Sequence, residues 1–148
     1  MTSLTIKPYT PSDLEGVLPA HGQAFELNAL SRFQPKGPSF TFRRWSTIVA
    51  FGGFEPCSPL NHVAEAWSVI TRDAQRADYA RLMAHARLLI DIYVNVYQWT
   101  RIEATARCDL TGAGATLERI GFSFEAERRG AGPYGVDVQS FAILRKAQ

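Results

Sequence analysis

Apolar and polar residues alternate from Leu4 to Pro8, with Leu4 and Ile6 set against Thr5 and Lys7, and Thr10-Pro11-Ser12-Asp13 then supplies a helix start with proline near its first turn. The chain is therefore expected to open on a strand and a helix. Leu14, Val17 and Leu18 keep helical spacing until Pro19 and Gly22 interrupt it, which leaves a second, short helix from Gln23 to Leu30 and a loop over Arg32 to Ser39. The aromatic and β-branched residues between Phe40 and Phe54 predict one or two strands ending at Gly52-Gly53, followed by a turn containing Pro56, Ser58 and Pro59. His62 to Thr71 sets Val63, Trp67 and Val69 on one side and Ala64, Ala66 and Ile70 on the other, the pattern of a central strand buried on both faces.

The clearest helical signal runs from Asp73 to Gln98, where Tyr79, Leu82, Met83, Ala86, Leu89, Ile90, Tyr93, Val94 and Tyr97 recur at steps of three and four. Arg101 to Arg107 then alternates Ile102, Ala104 and Ala106 with polar residues, so strand, long helix and strand form a βαβ unit. A helix from about Thr111 to Ile120 is stopped by Gly121, and two last strands, Phe122 to Arg128 and Val136 to Leu144, are joined by a glycine-rich turn. The order βααβββαβαββ predicts an α+β fold with helices packed against a mixed sheet.

Composition narrows the class. With 148 residues, 46% of them hydrophobic, the chain can bury a core without staples, and a single domain over residues 1–148 is expected. Cys57 and Cys108 are its only cysteines, which excludes a disulfide scaffold. A net charge of +2 gives little pull on nucleic acid or on a membrane. No apolar stretch approaches the roughly 20 residues that cross a bilayer, and Met1 to Pro8 has no leader pattern, so the expected location is the cytoplasm.

The run Gly130, Gly132, Gly135 matches G-x-G-x-x-G literally, but Pro133 interrupts it and a strand follows it, so it reads as a hairpin turn rather than a dinucleotide cradle. His21, His62 and His85 share no metal-ligand spacing with each other or with the cysteines, and no metal is expected. Cys57, placed in a Pro-bounded loop, and Cys108, just after a strand, are read as inert thiols. There is no G-x-S-x-G elbow and no P-loop.

The segment Leu117-Glu118-Arg119-Ile120-Gly121-Phe122, followed by the hairpin with Gly135 and Asp137, resembles the C-terminal half of the GNAT (GCN5-related N-acetyltransferase) superfamily, where an L-E-x-x-G-F turn ends the fourth helix. Leu4-Thr5-Ile6-Lys7-Pro8 with Pro11-Ser12-Asp13-Leu14 looks like the first strand and helix of that family. The resemblance implies a largely antiparallel, twisted sheet with a central βαβ unit and helices on both faces. Ile48 to Phe54, Val63 to Trp67 and Arg101-Ile102-Glu103-Ala104 further resemble GNAT-like proteins of tailed phages, including an internal virion protein type.

The GNAT resemblance implies an acetyl-CoA site at the start of the long helix, over Val69, Ile70, Arg72, Gln75, Arg76, Ala77, Asp78, Tyr79 and Ala80. There the family pattern [QR]-x-x-G-x-[GA] aims backbone N–H groups at a pyrophosphate. Two registers fit, Gln75 to Ala80 and Arg72 to Ala77, and neither has the central glycine; in the first, Asp78 replaces it and brings a repelling carboxylate. Arg72, Arg76 and Arg81 are the arginines placed to compensate as phosphate ligands if the site binds the cofactor. The tyrosine that the family uses as general acid is Leu117 here, and the asparagine of that helix start is replaced in the neighbourhood of Asp109 and Leu110. Glu65 or Glu103 would serve as general base, although a strand-face glutamate that faces solvent or pairs with Arg101 or Arg107 is the plainer reading of each. Trp67 and Tyr79 either line a cleft or belong to the core.

Two functions follow. The first is a phage virion or assembly protein with a degenerate acetyl-CoA site, contacting other virion proteins or itself, in the bacterial host cytoplasm or a particle. The second is an active N-acetyltransferase that moves acetyl from acetyl-CoA to a small-molecule or protein amine and needs an open V between the strands at His62 to Thr71 and Arg101 to Arg107. The weakened loop and the missing tyrosine set the first ahead.

Overall fold

The computed structural model describes residues 3–58 and 62–146. Its seven strands form one sheet in the order β1-β2-β3-β4-β5-β7-β6, accompanied by three α-helices. The fold is thus the expected mixed α+β type, with β4 at the centre. Two compact units divide the chain: Met1–Glu55 with Trp67–Leu82, and Pro56–Ala66 with Met83–Gln148.

In the first unit, β1 (Leu4–Pro8) pairs antiparallel with β2 (Ser39–Arg44), and β2 with β3 (Thr47–Ser58). The first helix shrinks to a 3-10 turn at Pro11–Leu14: the Thr10 amide donates to the Asp13 carboxylate at 3.0 Å and caps its start, but the chain turns extended at Glu15. The second is α1 (Ala24–Arg32). Leu30, Phe51 and Val69 centre the core, with Tyr9, Leu14, Val17, Leu27, Ile48 and Trp67 packed around them. Phe40, Phe42 and Phe54 are also buried, whereas Phe25, Phe33 and above all Trp45, in the β2–β3 turn, are exposed.

One strand end differs from expectation. β3 continues through Gly52-Gly53 to Ser58, carrying Cys57 on a strand rather than in a loop. Those glycines admit neighbouring backbone: a Cβ on Gly53 would stand 2.5 Å from the Pro38 carbonyl oxygen, and one on Gly52 3.2 Å from that of Trp67. They mark close approach, not termination. The turn expected around Pro59 lies outside the described residues.

In the second unit, the first residues of β4 (Val63–Ile70) run parallel to β5 (Arg101–Arg107), and β5 and β6 (Ser123–Arg128) flank β7 (Val138–Leu144) in antiparallel ladders. The long helix is α2 (Arg76–Tyr97), and α3 (Ala113–Ile120) packs on β5 and β6. Ile102, Ala104 and Ala106 alternate inward as their period of two demands, with Phe141 and Ile143 beside them. Gly121, at φ +123°, takes the backbone conformation that ends α3. The glycine-rich segment is a hairpin connection, in which the Gly130 amide donates to Asp137 at 2.8 Å. β4 is buried less completely than expected: Ala64 and Val69 are inside, while Glu65 and Ser68 are exposed. No helix among the described residues is long and apolar enough to cross a membrane.

Candidate functional site

The start of α2 lies wholly in the first unit. The helix begins at Arg76, so the amides of Arg76 and Ala77 fall in its first turn, where no preceding turn can accept from them; among the described residues they have no hydrogen-bond partner. The side chains of Arg72 and Arg76 are exposed, as are Ala77, Tyr79 and Ala80. Two cationic groups therefore stand at the positive end of a 22-residue helix.

Asp78 does not face this surface. It is fully buried, its carboxylate accepts from the Gln75 amide at 2.7 Å, and the Arg44 guanidinium is paired with the same oxygen. The repelling charge expected there is turned inward and neutralised. The physical cause is a helix N-terminus that needs acceptors, supplied by Asp78 in its own first turn. Arg44, from the end of β2, escaped the sequence reading because nothing near it in the chain signals a partner 34 residues away.

Three other expected cofactor residues are partly committed elsewhere. Val69 is a core residue, 3% exposed. The Ile70 carbonyl accepts from the Ala20 amide at 3.0 Å, the Ile70 amide donates to the Gln23 side chain at 3.4 Å, and the Arg72 amide donates to the Leu18 carbonyl at 2.8 Å. Thr71 between them donates to Val49 of β3, so the Leu18 to Ala20 segment lines the edge of β4 that faces away from β3. Pro19, which interrupts the helical pattern in the sequence, is part of this edge segment. Ile70 and Arg72 consequently offer side chains rather than backbone groups.

Glu65 and Glu103 belong to the second unit and are direct partners in the β4–β5 ladder, whose three recorded pairs end with them. Partners in a parallel ladder project to the same face, which sets the two side chains next to each other. Arg101 donates to Glu103 at 2.7 Å and holds Glu125 in a bidentate pair, the latter contact drawing the Glu125 carboxyl below its usual range and raising the guanidinium above its own. Glu103 is thus paired with Arg101 and Glu65 is exposed, both as in the plainer reading.

At the position of the family tyrosine, the Leu117 carbonyl accepts from the amides of Gly121 and Phe122 and no hydroxyl is present. Asp109 is held by both arms of Arg107, at 3.0 and 2.7 Å. Trp67 packs in the core, with its indole nitrogen buried and unpaired among the described residues, whereas Tyr79 is 41% exposed. Cys57 and Cys108 are exposed and form no disulfide among the described residues. Loss of water, with Glu127, Asp137 and Asp109 nearby, pushes the Cys108 thiol above its ordinary range, which disfavours the thiolate. No three His, Cys, Asp or Glu side chains among the described residues are grouped as a metal site.

A largely antiparallel seven-stranded sheet with a parallel βαβ unit at its centre is the fold of GNAT acetyltransferases, and solved structures of that class superpose on this chain. A mutant of the spermidine N-acetyltransferase SpeG from Vibrio cholerae matches with a TM-score of 0.70 at 15% identity, covering 96% of this chain and 94% of its own. A GNAT-family acetyltransferase from Bacillus anthracis gives 0.69 at 18%, covering 96% and 95%. The microcin C7 self-immunity acetyltransferase MccE, in complex with acetyl-CoA and AMP, gives 0.65 at 18%, covering 74% and 62%. No protein-family model and no curated protein sequence matches the chain. At these identities the likeness establishes the fold.

Proposed function

We propose that this protein is an acetyl-CoA-dependent N-acetyltransferase acting on an amine. The observation that carries the reading is the first turn of α2: free amides at Arg76 and Ala77, exposed guanidinium groups at Arg72 and Arg76, and Asp78 removed from the surface by Arg44. Such a helix start suits a pyrophosphate, through backbone donors, the helix dipole and bidentate arginine pairing. The fold neighbours support it, since one acetylates spermidine and another was solved with acetyl-CoA. Acetyl-CoA would supply the activated thioester when bound.

The acceptor amine must lose a proton as it attacks the thioester carbonyl. Glu65 and Glu103, paired in the β4–β5 ladder, are the two candidates to take it. With leucine in place of the tyrosine, the departing thiolate takes its proton from solvent. Two observations favour this reading over the virion scaffold: the Asp78 charge, one of the features that weakened the loop, has a counter-ion, and the fold neighbours described above are acetyltransferases.

Titration calorimetry with acetyl-CoA tests the proposal. Saturable micromolar binding is expected, weakened about tenfold or more by Arg72→Ala with Arg76→Ala, together with release of free CoA thiol when a polyamine is added. No heat at millimolar acetyl-CoA would overturn the enzyme reading and return the search to protein partners.

A further inference from the structure

Arg44 does more than fill space. Its side chain is only 14% exposed, and its guanidinium reaches from the end of β2 to two points of the segment that opens α2, the Asp78 carboxylate and, at 3.4 Å, the Asp73 carbonyl. Asp78 meets it with a carboxylate that also caps Gln75, while the second oxygen, Oδ1, is buried with no hydrogen-bond partner among the described residues. A carboxylate in that position, left without a counter-ion, would oppose any anion approaching the amides of Arg76 and Ala77.

We infer that Arg44 is a positioning residue for phosphate binding: it cancels the Asp78 charge, so that the first turn of α2 accepts an anionic ligand where the sequence alone places a repelling acid. The inference rests on the acetyl-CoA reading above and names the residue on which that site depends. Arg44 acts through the charge of Asp78, and touches no ligand.

An electrostatic role and a merely structural one predict opposite signs for one variant. Removing the acid by Asp78→Asn leaves Arg44 with its charge uncompensated, which adds to the positive field at the helix start. Acetyl-CoA should then bind two- to tenfold tighter by order of magnitude, with a steeper loss of affinity as salt is raised. Arg44→Met leaves the buried carboxylate alone and should weaken binding about ten- to a hundredfold. The double variant carries neither charge and should return to within about threefold of the parent.

The experiment is calorimetric titration of the full chain and the three variants with acetyl-CoA at two salt concentrations, with thermal melts to confirm folding. If Arg44→Met does not fold, Asp78→Asn and the double variant still decide the matter. Weaker binding by Asp78→Asn, or a double variant as weak as Arg44→Met, would overturn the inference while the parent's binding leaves the function standing. A parent that binds no acetyl-CoA would overturn both.

Discussion

Asp13 offers a direct test of how a polar cluster holds the first unit together. Its carboxylate accepts from the Thr10 amide at 3.0 Å, the Thr41 hydroxyl at 2.7 Å and the Arg43 guanidinium at 2.8 Å, and its side chain is 12% exposed. Thr41 is completely buried. Asp13→Ala would leave that hydroxyl without its acceptor, at about 1–3 kcal/mol, and remove a cap worth about 1 kcal/mol. With partial relaxation, a net loss of about 3 kcal/mol is expected, against a typical total of about 5–15 kcal/mol. For a chain of this size that corresponds to a melting temperature lower by roughly 10 °C. Burial opposes ionisation of Asp13, but hydrogen bonds from Thr10, Thr41 and Arg43 and the charge of Arg43 outweigh it and hold the carboxyl below its ordinary range. Because the folded value is the lower one, the stabilisation is complete above the unfolded value near 4 and fades as pH falls through the folded value. Urea unfolding of parent and variant should therefore show the full gap at pH 7 and a shrinking gap below about pH 4. A gap under about 0.5 kcal/mol at pH 7, or one indifferent to pH, would refute the reasoning.

Under the proposed acetyl transfer, Glu65→Gln or Glu103→Gln should lower turnover about a hundredfold or more with acetyl-CoA affinity retained, as steady-state kinetics beside calorimetry would read. Gly53→Ala forces a Cβ to 2.5 Å from the Pro38 carbonyl oxygen and should cost about 1–3 kcal/mol in urea unfolding. Gly16→Ala meets no atom within 4 Å but sits at φ +70°, and should cost only about 1 kcal/mol. Cys108, although exposed, should react with iodoacetamide more slowly than a free cysteine at pH 8, since its thiol is shifted upward.

Periodicity carried most of the architecture. The alternation of Ile102, Ala104 and Ala106 located β5 at Arg101–Arg107, and the three-four spacing located α2 to within three residues at its start and one at its end. Such patterns are legible because strand and helix impose fixed periods on whichever face is buried. The resemblance of Leu117 to Phe122 to a known turn likewise pointed to the fold that the sheet order bears out.

What escaped was every feature set by contact between distant segments. Gly52-Gly53 looked like a strand end because glycine ends strands locally, yet the pair exists to admit the backbone at Pro38 and Trp67. Asp78 looked like an obstacle because its charge was visible and its counter-ion on β2 was not. Arg72 was legible as a cation, but the capture of its amide by Leu18 was not. Local propensity depends on neighbours in the chain, whereas burial and charge compensation depend on neighbours in space. The first unit joins residues 13, 41 and 43, or 44 and 78, only once β1, β2 and β3 have paired.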